Sequence, residues 1–183
     1  MKRIIFPLFA LVLASTGVAS AQQLMLPQPS PHAVVVQTVG VTDVTIDYSS
    51  PGLKGRKPFG TLVPYGQLWR AGANASTKLT FSTDVIIADK PLAAGTYSLF
   101  FIPTAKTWTV VINKNKDAQN NNYDEKQDAL RFEVKTEKAP KRERLTYIFS
   151  NASATDARIE KRVVVLAEFP PSSHQPICLL YTS

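Results

Sequence analysis

Tyr65, Trp69, Arg70 and Asn74 fall within the stretch VPYGQLWRAGANASTKLTF, Val63 to Phe81, and no other part of the chain packs such reactive side-chain types so closely. A flat aromatic ring beside a guanidinium can stack on a sugar and hold a carboxylate through paired N–H donors. With Arg56 from the preceding connection, these residues form a candidate wall of a ligand groove. Its occupant would be a small molecule, a glycan or an envelope protein. The same types also suit a purely structural role, with Trp69 plugging one end of a core and Arg70 satisfying carbonyls of the Pro51 to Gly66 connection. On extended backbone, neighbours such as Trp69 and Arg70 point to opposite sides. Gly66 and Gly72 permit bends at either end, and Asn74 tolerates the left-handed region.

Other chemistry is sparse. The two histidines, His32 and His174, sit at opposite ends of the chain. His32 could enter a Ser-His-Asp arrangement with Asp43 or Asp47, but a triad is defined by geometry, and a His at the start of a first strand serves equally well as a structural cap. Asp117, Asn120, Asn122, Asp124 and Asp128 offer oxygen ligands that calcium accepts. Lys114, Lys116 and Lys126 oppose a cation there, however, and the glycine of an EF-hand loop is missing. The segment reads as a solvated Asn-rich turn, with no metal and no cofactor. Neither a nucleophile elbow, nor H-E-x-x-H, nor a phosphate loop, nor C-x-x-C occurs. Binding is therefore favoured over catalysis; a hydrolase or isomerase site in a groove beside Tyr65 to Asn74 is the alternative.

The elements that must position these residues are strands. Apolar residues alternate with polar ones at Val44, Ile46 and Tyr48; at Leu79 and Phe81; at Tyr97, Leu99 and Phe101; and at Trp108, Val110 and Ile112. The same holds at Leu130, Phe132 and Val134, and at Leu145, Tyr147 and Phe149. A period of two with one apolar face is the signature of half-buried strands. SSPGLKGRKPFG and ADKPLAAG supply turn residues between them. No amphipathic helix and no internal repeat is present. This predicts an antiparallel β-sandwich of about seven to nine strands, with a β-barrel as the alternative.

Compartment is written at the start of the chain. Lys2 and Arg3, the apolar run Ile4 to Ala14, and Ala19-Ser20-Ala21 form a secretory signal peptide cleaved before Gln22. A periplasmic or secreted protein is expected, with residues 1–21 as leader, 22–29 as linker and 30–169 as one domain. The apolar run is shorter than the roughly 18 residues a spanning helix needs, so no transmembrane segment is expected. Cys178 is the only cysteine, which leaves hydrophobic burial to stabilise the fold. The net charge of +7 falls to +5 without Lys2 and Arg3. KTEKAPKRER, Lys135 to Arg144, is interrupted by acids and a proline and reads as a solvated connection, not a nucleic-acid surface. From Pro170 the alternation stops, and ICLLYTS resembles translated adapter sequence. Residues 170–183 are an atypical tail, either foreign or a loose native end.

SPHA (Ser30 to Ala33), YSSPGLKGR (Tyr48 to Arg56), FGTLVPYGQLWRAGAN (Phe59 to Asn74), AGTYSLFFIP (Ala94 to Pro103) and WTVVINK (Trp108 to Lys114) together resemble the bacterial family catalogued as domain of unknown function 2911. The likeness runs from about Ser30 to Arg158. It implies an exported bacterial protein and carries no catalytic residue with it. Near Glu160 the resemblance implies an acidic-aromatic strand, where this chain reads KRVVVLAEFPPSS.

Overall fold

The computed structural model describes residues 26–136, 141–150 and 158–164, the last as backbone only. The expected leader (1–21) and tail (170–183), with His174 and Cys178, lie outside the described residues. Ten strands form in chain order: β1 (His32–Val39), β2 (Thr42–Ser49), β3 (Lys78–Phe81), β4 (Val85–Ile87), β5 (Lys90–Leu92), β6 (Gly95–Pro103), β7 (Thr107–Asn113), β8 (Asp128–Lys135), β9 (Lys141–Ser150) and β10 (Arg158–Val164). Six of them make one antiparallel sheet in the order β1-β2-β3-β6-β7-β8, while β9–β10 and β4–β5 are two-stranded hairpins. The sheet is open, with β1 and β8 at its edges, so the architecture is an unequal sandwich and not a closed barrel. The ten strands among the described residues exceed the expected upper count of nine by one, and the three-residue strands β4 and β5 are the shortest of them. VIIADKPL is too short to display a period, and the hairpin turns on Ala88 and Asp89, both at positive φ.

One face of the large sheet carries the alternating apolar set. Val44, Ile46, Tyr48, Leu79, Phe81, Leu99, Phe101, Trp108, Val110, Ile112, Leu130 and Val134 are all buried in one cluster. The smaller layer covers it. Leu145 and Tyr147 of β9 and Ile87 and Leu92 of the β4–β5 hairpin join that cluster, as do Leu53, Phe59 and Val63 of the long connection. Backbone bonds from Leu53 N to Glu143 O (2.8 Å) and from Leu145 N to Pro51 O (3.0 Å) add the start of that connection to β9 as a further strand-like segment. Tyr48 and Tyr147 lock the layers edge to face, with ring centroids 4.7 Å apart.

The opposite face is polar except over β6 and β7 and at exposed Val34 and Val36 of β1. There Phe100, Val111 and Ala118 form a second small cluster, packed by Leu68, Ile102 and Tyr123. Its lid is the Asn-rich segment between β7 and β8.

Candidate functional site

The WRAGAN segment is a continuation of the sheet. Trp69 N donates to Phe101 O (2.8 Å) and Phe101 N to Trp69 O (2.9 Å), while Gly66 N reaches Pro103 O (2.8 Å). The segment therefore runs along the part of the β6 edge that β3 does not cover. Strand geometry then sends adjacent side chains to opposite faces. The Trp69 indole meets Phe59 (centroids 5.8 Å apart), Phe101 (6.4 Å) and Trp108 (6.4 Å), on the side of the main core. Arg70 points the other way, its Nη1 donating to Gln119 Oε1 at 3.4 Å and its backbone N to Asn120 Oδ1 at 3.2 Å. Asn120 Nδ2 in turn donates to Leu68 O (2.7 Å), so the loop after β7 is stitched to both sides of Trp69.

Beyond Arg70 the chain turns sharply. Ala71 (φ 59°) and Asn74 (φ 54°) take left-handed conformations, which a residue with a Cβ adopts at a cost that its surroundings must offset. Two donors do so: half-buried Trp69 Nε1 donates to Gly72 O (3.1 Å) and buried Tyr147 Oη to Ala71 O (2.6 Å). Gly72 is required by space, since a Cβ there would stand 2.7 Å from Thr77 Oγ1 and 3.2 Å from Ser49 O. Asn74 Nδ2 closes the turn on Ser30 O (3.1 Å).

The remaining members of the expected wall lie apart. The Arg56 guanidinium donates to Leu53 O (3.0 Å) and Gly52 O (3.1 Å). Arg56 thus satisfies carbonyls of the long connection, the task that the sequence suggested for Arg70. Tyr65 is 40% exposed, with its ring against Gly60. The structure does not put the Trp69 ring and the Arg70 guanidinium on one surface.

Each of the five expected oxygen ligands of the Asn-rich loop, Asp117, Asn120, Asn122, Asp124 and Asp128, is bonded to the chain itself. Asp117 pairs with Lys78 (2.9 Å), whose hydrogen bond holds the carboxyl below its ordinary value. Asn122 accepts from Gln119 N, and Asp124 caps the short 3-10 turn Glu125–Gln127. Asp128 accepts from Asn113 Nδ2 (2.8 Å) and from Tyr123 Oη (2.7 Å). Burial, then this bond, pushes the Tyr123 phenol up. Arg131 completes the knot, with Nη2 donating to Tyr123 Oη at 3.1 Å and Nε 3.4 Å from Asp128 Oδ2. No group of three or more His, Cys, Asp or Glu converges as a metal site among the described residues.

His32 Nε2 lies 2.7 Å from Asp47 Oδ1 on the polar face, with both side chains largely exposed. Sequence reasoning named this pair only as one combination among several, because its partners are joined by the β1–β2 register and not by a motif. The amides of Gln119 and Asn120 were missed as neighbours of Arg70. No local signal could find them, since they stand some fifty positions away.

The profile of a family described as "Protein of unknown function (DUF2911)" matches residues 30–162. The chain belongs to this family. The matched range takes in nearly all the described strands and spans the WRAGAN turn. No curated protein and no solved structure matches the chain.

Proposed function

We propose that this DUF2911 protein is an exported binding protein of the cell envelope that takes a carboxylate-bearing small molecule or acidic sugar at Arg70. The observation that carries this reading is the partner of the guanidinium. Arg70 meets a neutral amide, Gln119, and among the described residues no carboxylate stands within ion-pair distance of it. A fixed positive charge edged by amide groups suits a carboxylate flanked by hydroxyls, because the guanidinium holds the anion and amides accept or donate to the rest. Trp69 and Asn74 fix the turn that carries Arg70, through the bonds to Gly72 O and Ser30 O. Export rests on the leader ending at Ala21.

Glucuronate and glucose, which differ by one carboxylate at C6, separate the possibilities in a calorimetric titration. Binding of glucuronate, absence of glucose binding and loss of the glucuronate signal in Arg70→Ala support the proposal; glucuronate binding that survives Arg70→Ala overturns it. Fractionation of a Gram-negative host should return the protein from the periplasm with Gln22 first, and full-length chain in the cytosol would refute export.

A second reading, a hydrolase, is favoured by one feature. The register pairs His32 with Ser49, so a hydroxyl, an imidazole and the Asp47 carboxylate share one end of the polar face. Turnover of a nitrophenyl ester that vanishes in His32→Ala would establish it.

A further inference from the structure

The two edges of the large sheet are treated differently by the sequence. β8, DALRFEVK, carries Asp128, Arg131, Glu133 and Lys135, adjoins a register shift at Ile112/Asn113, and has the Arg131 carbonyl capped by Lys90 Nζ. Charges and irregularities of this kind are how proteins keep edges from pairing. β1, HAVVVQTV, has no Asp, Glu, Lys or Arg over eight residues. It exposes Val34 (50%) and Val36 (58%) on the polar face.

The direction of its backbone groups that do not bond to β2 follows from one bond. Ser50 N donates to Pro31 O at 2.8 Å, which makes Pro31 and Ser50 a hydrogen-bonded pair in the β1–β2 ladder. Such pairs alternate along antiparallel strands, so Ala33, Val35, Gln37 and Val39 bond towards β2. The N–H and C=O groups of His32, Val34, Val36 and Thr38 therefore face outward. Gln37 Nε2 agrees with this assignment by donating to the Thr38 carbonyl at the edge (2.9 Å).

We propose that β1 is a self-association edge, pairing antiparallel with β1 of a second copy about a two-fold axis so that Val34 of one copy stands opposite Val36 of the other. The occupant is a second copy because the strand is self-complementary in this register. His32 meets Thr38 and Val34 meets Val36, and all four outward residues of each copy bond, giving about eight intermolecular hydrogen bonds. Sliding by one allowed step in either direction leaves one outward residue of each copy without a partner. The same register gathers the four exposed valines into one patch, and the symmetric contact closes as a dimer. A single pair of strands lies at the small end of interface sizes, below about 1,200 Å², so association is weak and concentration-dependent. The polar faces become continuous across the new sheet.

Sedimentation of the purified protein from about 1 μM to about 1 mM should show monomer passing into dimer. Val34→Lys/Val36→Lys sets like charges directly opposite and should weaken the dimer at least about tenfold, whereas Val34→Lys/Val36→Glu sets opposite charges there and should restore it to within about threefold. Both pairs of substitutions are on exposed positions, and unchanged thermal midpoints would confirm intact folds. In hydrogen exchange, the amides of Val34, Val36 and Thr38 should gain protection as concentration rises, while those of Ala33, Val35 and Gln37 are protected throughout. A monomer at all concentrations, a dimer indifferent to the lysine pair, or outward amides already protected in dilute monomer would each overturn the proposal; the last would mean that the chain covers its own edge.

Discussion

Trp69 and Arg70 are neighbours in sequence and belong to different parts of the molecule. On the Trp69 side, Phe59 and Trp108 pack edge to face and Phe101 packs tilted against the indole, and Tyr147 reaches through the core to close the turn behind it. On the Arg70 side, a guanidinium meets one amide at 3.4 Å on a lid made of loop. The difference is one of strand parity. A backbone held in the ladder beside Phe101 commits one residue to the core and releases the next. The same short turn thereby carries a core anchor and a charge on the opposite face.

The aromatic side should break hardest. Trp108 is 1% exposed and touches Phe59 with centroids 4.7 Å apart. Trp108→Ala should cost about 3 to 5 kcal/mol, the range for emptying a buried aromatic site, measured by denaturant unfolding.

Tyr147→Phe is gentler and tests whether the core holds the turn. It removes the donor to Ala71 O and leaves a buried carbonyl unpaired, at about 1 to 3 kcal/mol. It should also alter the alkaline limb of stability. Burial raises the Tyr147 phenol well above its ordinary value, and Tyr123 is raised as well, by burial and by Asp128. A group whose folded value is raised stabilises fully below its unfolded value, about 10 for tyrosine, and that contribution disappears as pH rises through the folded value. Wild-type stability should therefore fall above about pH 10, and Tyr147→Phe should fall less steeply there. Parallel pH profiles would show that Tyr147 ionises equally well in the folded state.

Six of the strands were legible because burial on one face writes a period of two into Val44, Ile46 and Tyr48 or Trp108, Val110 and Ile112, whatever the partners are. The opposed directions of Trp69 and Arg70 were legible for the same reason. What each reaches was not. Arg70 with Gln119, Tyr147 with Ala71 and His32 with Asp47 meet through strand order and register, which a single chain does not spell out locally. Arg56 illustrates the limit: its carbonyl partners, Gly52 and Leu53, are four and three residues back, yet the sequence suggested Arg70 for that task and only the fold of the connection gives it to Arg56. The β4–β5 hairpin escaped because three residues per strand hold no period.

The asymmetry at the WRAGAN turn is tested most directly by matched urea unfolding of Trp69→Ala and Arg70→Ala beside the parent. Half-buried Trp69, packed on three aromatic rings, should cost about 3 kcal/mol when truncated. Arg70→Ala, which gives up one long bond to an exposed loop, should stay within about 1 kcal/mol of the parent. Equal losses in the two variants, or a larger loss for Arg70→Ala, would show that Arg70 is as much a part of the frame as Trp69 and would remove the basis for a ligand at that position.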